Sequence, residues 1–189
     1  MSAFKLIYIT TPNFWKGEAE AIVSLMEHSD NFVLHLRKPE ALESDIVALL
    51  ESIPKVFYPR IVLHSCFHLC EQYGLRGIHL NSRENTIPKH FSGTVSRSCH
   101  SLAELERCNQ EGYDYLTLSP IFDSISKIGY HSAFTPEMIA DAANRGIINR
   151  RTIALGGVTR HVLSLLQSMG FGGAAMLGEI WKPWNTQSF

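Results

Sequence analysis

Short apolar runs rich in β-branched and aromatic residues alternate along this chain with stretches whose apolar positions recur every three or four residues. The runs are KLIYIT (5–10), FVLHLR (32–37), RIVLHS (60–65), GIHLNS (77–82), GTVSRS (93–98), YLTLSP (115–120), RTIALGG (151–157) and GAAMLGEI (173–180). Eight strands are predicted. Between them, Ile22, Leu25 and Met26, or Ile46, Leu49, Leu50 and Ile53, have the spacing of amphipathic helices. Two helix starts are marked chemically: Ser101 with Glu104 forms a capping box, closed by Gly112, and Thr135 precedes Pro136 as N-cap. Strands alternating with helices favour a parallel sheet, and eight units close into a (β/α)8 TIM barrel. The period is short, so the barrel is expected to be compact. The helix near IPKHF is at most a turn or two, and only nine residues follow Ile180, which truncates the last helix.

Composition narrows the picture. With 189 residues and 45% hydrophobic content the chain can bury one core, and residues 1–189 read as a single domain. A formal net charge of −1 and the lack of a basic run interleaved with aromatics argue against nucleic acid or anionic membrane as partner. MSAFKLIYIT is interrupted by Pro12 too soon for a signal peptide, so a cytoplasmic location is expected. Cys66, Cys70, Cys99 and Cys108 lack CxxC spacing and are expected as thiols, with Cys66 and Cys70 read as helix core. HSCFHLC gathers zinc-type ligands, His64, Cys66, His68 and Cys70, but a strand giving way to a helix turns His68 away, and packing is the preferred reading.

In this fold the carboxyl ends of the strands carry the chemistry. Strand two ends at His35 and Arg37, followed by Lys38; strand three at His64-Ser65; strand four at His79, followed by Asn81, Ser82 and Glu84; strand five at Ser98, followed by His100. After strand six come Ser124, Ser126 and Lys127, after strand seven Gly156-Gly157, and on strand eight Gly178. Bare glycine backbone lets amide N–H groups approach a phosphate, so Gly156, Gly157 and Gly178 are candidate phosphate binders, with a tight turn as the plainer alternative. Two hydroxyls, the Lys127 ammonium and the Arg37 guanidinium suit a second anion.

Several of these segments resemble a known family, thiamin phosphate synthase and its relative the TenI-type thiazole tautomerase. LHLRKPE is similar to the family's Q-x-R-x-K, GIHLNSRE to G-x-H-L-G-x-x-D, SCHSLAELE to S-x-H-(S/T)-x-x-E, DSISK to the T-x-T-K loop, and IALGGV to A-I-G-G-I. The resemblance implies a barrel whose turns after strands seven and eight hold the phosphate of a carboxythiazole phosphate. In the synthases the strand-two Arg, strand-five Ser and T-x-T-K loop hold pyrophosphate; here His35, Arg37, Ser98, Ser124, Ser126 and Lys127 occupy that second anion or substrate region. Magnesium sits on two aspartates in the synthases. The corresponding positions hold His64-Ser65 and Glu84, and the family's strand-two Gln and Lys are His35 and Pro39. A hard cation wants carboxylate oxygens, so no metal ligands are assigned.

On these departures the sequence favours an isomerase, a TenI-type tautomerase that aromatises the thiazole by proton transfer through His100 and needs no cofactor. The alternative is a Mg2+-dependent thiamin phosphate synthase joining a hydroxymethylpyrimidine pyrophosphate to a thiazole phosphate. A non-catalytic binder of phosphate ligands is the third reading. Homo-oligomerisation and the role of Glu179, a carboxylate next to a presumed phosphate turn, stay open.

Overall fold

Eight parallel strands close in sequence order into a barrel. The chain is seen in a computed structural model that describes residues 4–122 and 134–184. The strands are β1 (Lys5–Ile9), β2 (Phe32–Leu36), β3 (Ile61–Leu63), β4 (Gly77–Leu80), β5 (Thr94–Cys99), β6 (Tyr115–Leu118), β7 (Thr152–Ala154) and β8 (Gly173–Met176). Helices α1 (Glu18–His28), α2 (Glu43–Glu51), α3 (His68–Tyr73), α4 (Leu102–Cys108), α5 (Pro136–Asn144), α6 (Leu163–Ser168) and α7 (Gly178–Trp181) lie between or after them. All eight predicted strands are present. Residues 81–93 carry no helix, and the last helix has four residues.

Two compact units divide the chain, Tyr8–Thr94 with Leu177–Phe189, and Met1–Ile7 with Val95–Met176. In the first, β2 pairs with β3 through Leu34–Ile61, His35–Val62 and Leu36–Leu63, and β3 with β4 through Val62–Gly77 and Leu63–Ile78. Successive side chains alternate between faces of a strand. Leu34, Leu36, Ile61, Leu63, Ile78 and Leu80 form one almost wholly buried set, and His35 and His79 fall in the other. Gly77 has a steric reason: a Cβ there would come 2.1 Å from the Thr94 carbonyl oxygen, so no side chain fits without moving backbone.

In the second unit, β5 pairs with β6 through Ser96–Tyr115 and Ser98–Thr117, β6 with β7 through Thr117–Ile153, and β7 with β8 through Ile153–Gly173. Both predicted caps form. The Ser101 hydroxyl accepts from Glu104 N–H at 3.1 Å and the Thr135 hydroxyl from Met138 N–H at 3.3 Å, with Pro136 opening α5. The Glu104 carboxylate reaches one residue further back than expected, accepting from His100 N–H at 2.9 Å. α4 ends at Cys108, before Gly112.

Two expectations change. Cys66 is not helix core: it precedes α3, half-buried, with φ 51, while Cys70 is buried within the helix. Strand eight stops at Met176, because Gly178 to Trp181 turn into α7. Lys38, next to Arg37 in sequence, is wholly buried and paired with Glu18. No helix among the described residues is long and apolar enough to cross a membrane.

Candidate functional site

The ends of β2, β3 and β4 bring three imidazoles together. His35 lies on β2, His79 on β4, and His64 one residue beyond β3, one step past the Leu63–Ile78 pair. His35 Nδ1 and His64 Nε2 are 2.8 Å apart, so one donates a hydrogen bond to the other. Ring centroids are 4.4 Å apart for His64–His79, 5.0 Å for His35–His64 and 5.1 Å for His35–His79. Burial, then the neighbouring His79 and His35 rings and the Arg37 charge, hold His64 well below the usual imidazole range. It is neutral at physiological pH. His68 faces elsewhere, exposed and 3.1 Å from Glu43, so the HSCFHLC segment does not assemble its four candidate ligands on one site.

Arg37 follows β2, its backbone pinned by Thr10, whose Oγ1 accepts from Arg37 N–H at 2.9 Å and donates to Arg37 O at 3.2 Å. Its guanidinium is half-buried and makes no hydrogen bond or ion pair among the described residues. Burial and then the charge of Arg83, itself paired with Glu40 at 2.6 Å, lower its pKa. Lys38 is the opposite case. Its ammonium donates to Glu18 at 2.6 and 2.7 Å and to the carbonyls of Thr11 and Asn13 at 2.9 and 3.0 Å, and it sits over the Phe14 ring. Burial pushes the Lys38 ammonium down and the Glu18 carboxyl up, each opposed by the other's charge.

In the other unit, His100 is exposed just after β5, and its Nδ1 lies 3.2 Å from Ser119 Oγ and 3.3 Å from Ser119 O. Nδ1–H donating to that carbonyl would fix the tautomer and leave Nε2 free to move a proton. Ser98 is half-buried on β5, in register with Thr117 on β6. The Thr117 hydroxyl is buried without a partner, a ligand-facing candidate that sequence reasoning missed because YLTLS reads as plain strand. Gly156 and Gly157 both have positive φ, 93 and 63, and a Cβ on Gly156 would meet Pro120 Cα at 2.8 Å. The tight turn therefore accounts for Gly156 by itself. Around Gly178 a Cβ would meet nothing within 4 Å. Ser124, Ser126 and Lys127 lie outside the described residues.

The magnesium that the family implies does not fit the positions described. His64 belongs to the imidazole group, and Glu84 is exposed, with its backbone N–H donating to Asn81 Oδ1 at 3.1 Å. Among the described residues the one group gathering three or more metal-type ligands is the histidine triad, a donor set that suits borderline cations better than a hard one.

Eight parallel strands with helices between them define a (β/α)8 barrel, a fold whose enzymes carry their chemistry at the carboxyl ends of the strands. Comparison with known proteins makes this specific. The chain belongs to the thiamine monophosphate synthase family, whose sequence model matches residues 6–180. It is similar to the thiamine-phosphate synthase of Caldicellulosiruptor saccharolyticus, 21% identical over 94% of this chain and 84% of the relative. That of Lactococcus lactis subsp. lactis is 22% identical over 86% and 76%. A crystal structure of thiamine phosphate pyrophosphorylase from Bacteroides thetaiotaomicron superposes with TM-score 0.86 at 38% identity, covering 97% of this chain and 87% of that one. The Pyrococcus furiosus thiamine phosphate pyrophosphorylase, at 15% identity and TM-score 0.71 over 96% and 92%, shares the fold. The family is one of thiamine biosynthesis enzymes, and the preference for an isomerase finds no support in these relatives, which are named for the transferase.

Proposed function

We propose that the chain is a thiamine phosphate synthase, a transferase that joins a hydroxymethylpyrimidine pyrophosphate to a thiazole phosphate and releases pyrophosphate. The observation that carries this reading is Arg37, a half-buried guanidinium just past β2 with no counter-ion among the described residues. A synthase must hold a pyrophosphate beside the thiazole phosphate, where a tautomerase's carboxythiazole phosphate brings only a carboxylate as its second anionic group. A planar guanidinium suits the pyrophosphate, because it offers paired N–H donors to two oxygens at once. The family pattern gives the same role to Ser98, His35, Ser124, Ser126 and Lys127. The thiazole phosphate is assigned to the backbone amides of Gly156 and Gly157, with Gly178 as a further contributor. The relatives' names, and a 38% identical structure covering 97% of the chain, support the same reaction.

Magnesium is a family expectation that the described residues do not meet, so no step is derived through it. This chain's own residues bind and orient: Arg37 holds the departing anion, and His100, with Nδ1 on Ser119, offers an unprotonated Nε2 as a proton acceptor. The test is to supply both substrates with Mg2+, Mn2+ or Zn2+ and follow thiamine phosphate and pyrophosphate. Stoichiometric release of both is expected, and no product with any ion removes the proposal.

A tautomerase remains the second reading, favoured by the absence of carboxylates at His64-Ser65 and by the His100 imidazole. Aromatisation of the non-aromatic carboxythiazole phosphate, faster than in buffer and abolished in His100→Ala, would put it first. Tight phosphate-ligand binding with neither reaction would point to a non-catalytic binder.

A further inference from the structure

The interior of a (β/α)8 barrel is normally filled by layers of branched aliphatic side chains. At the ends of three neighbouring strands this chain instead places His35, His64 and His79, none more than 9% exposed. Burying polar rings costs free energy unless each finds a partner. One nitrogen from each ring can be chosen so that all three lie within 4.8 Å of one another. One such pair, His35 Nδ1 and His64 Nε2, is already at 2.8 Å. Three imidazoles on a tetrahedral ion at Zn–N distances of roughly 2.0–2.1 Å have their nitrogens about 3.3 Å apart. The hydrogen-bonded pair would open by about half an ångström and the third ring would close in, rotations within the broad torsional freedom of an imidazole.

We propose that His35, His64 and His79 form a binding site for one divalent transition-metal ion of the zinc class, with a fourth position left open. Imidazole ligands select zinc, cobalt, nickel or copper over the hard cations, which require oxygen donors. His64 is the most exposed of the three, at 9%, against 1% for each of the others, so the open position is on its side. Arg37 is the neighbouring charge felt there. That position would take water or an anionic oxygen. The site rests on three side chains and their spacing, and it makes His35 a metal ligand in place of the anion-binding role the family pattern gives it.

Full-length protein stripped with a chelator is titrated with Co2+ and then with Zn2+ in the presence of excess Mg2+. One ion per chain is expected, with the intense visible absorption of tetrahedral cobalt, bleached when Zn2+ displaces it. His64→Gln and His79→Gln should each weaken Zn2+ binding by more than the roughly 10–100-fold that loss of an outer-shell partner costs. His68→Gln and His161→Gln, at exposed positions, should leave it unchanged. Circular dichroism establishes whether each variant folds. X-ray absorption on the unmodified protein, showing three imidazole nitrogens on the ion, decides the matter without any variant. Lack of a stoichiometric ion, an octahedral cobalt spectrum, or affinity that survives loss of a triad ring would overturn the site and leave a hydrogen-bonded packing cluster. Turnover is not the readout: a bound ion without synthase activity sinks only the reaction, and synthase activity without a bound ion sinks only this site.

Discussion

Arg37 shows how a single side chain can state its purpose through what it lacks. A guanidinium drawn half out of water with Arg83 as its charged neighbour is electrostatically unfavourable in the free protein, and an incoming anion relieves that. Arg37→Ala should lower kcat/KM of the synthase reaction by about 10²-fold or more, as for other donors aimed at developing charge. Arg37→Lys should recover little, since an ammonium cannot bind two oxygens in a fork. Melting temperature should not fall in either. Steady-state kinetics within about threefold of the parent for the alanine variant would remove Arg37 from the site. Cys70 offers a pH test. Burial in α3 pushes its thiol from 9.0 up to about 11, so above pH 9 the unfolded chain ionises there while the native one does not. A raised native pKa means the contribution is complete below pH 9 and is lost as pH climbs towards 11, at up to about 1.4 kcal/mol per pH unit. Unfolding free energies of the parent and Cys70→Ala should therefore converge over that range; parallel curves would show that the thiol is not so buried. The triad illustrates what sequence reading misses at this scale. His35, His64 and His79 were each visible at a strand end, but taken one strand at a time; the inward-facing parity of three adjacent strands was the unused signal.

Among the elements, the segment from β1 into α1 is held by one buried ion pair. Lys38, one residue beyond Arg37, draws in the carbonyls of Thr11 and Asn13 and the Glu18 carboxylate at the start of α1, four contacts of 3.0 Å or less. Removing one partner of such a pair strands a buried charge, whereas removing both as apolar residues can be nearly neutral. Lys38→Met should cost about 3–5 kcal/mol, and the Lys38→Met/Glu18→Leu double variant should regain most of it. Urea unfolding measures both; a single-variant loss under about 1 kcal/mol, the range of exposed pairs, would deny the clamp. Periodicity and caps made the elements themselves legible, because Ser101, Thr135 and Pro136 act through their immediate neighbours. Lys38 and Glu18 were not legible, since charged residues twenty positions apart read as solvated faces until a fold buries them together. Cys66 failed for a local reason, the left-handed turn before α3, which a non-glycine residue seldom adopts.

For the molecule as a whole, eightfold alternation was enough to predict a closed parallel barrel, because parallel strands are joined by crossover helices and need neighbours on both edges. What the pattern did not disclose is how a chain with so short a final helix seats its end. α7 has four residues, yet its Trp181 is fully buried and donates from Nε1 to the Ile9 carbonyl at 2.6 Å, with Trp15 edge-on at a centroid distance of 6.3 Å. Ile180 is buried beside it, and Trp181 adds the hydrogen bond. Two substitutions separate its contributions. Trp181→Phe keeps much of the apolar volume but leaves the Ile9 carbonyl without its donor, which should cost about 1–3 kcal/mol. Trp181→Ala removes the ring as well and should cost about 3–5 kcal/mol, the range for large buried aromatics. Denaturant unfolding should show alanine as clearly the worse of the two. Equal losses would mean that the hydrogen bond alone matters, and losses near zero would mean that α7 is not anchored through Trp181.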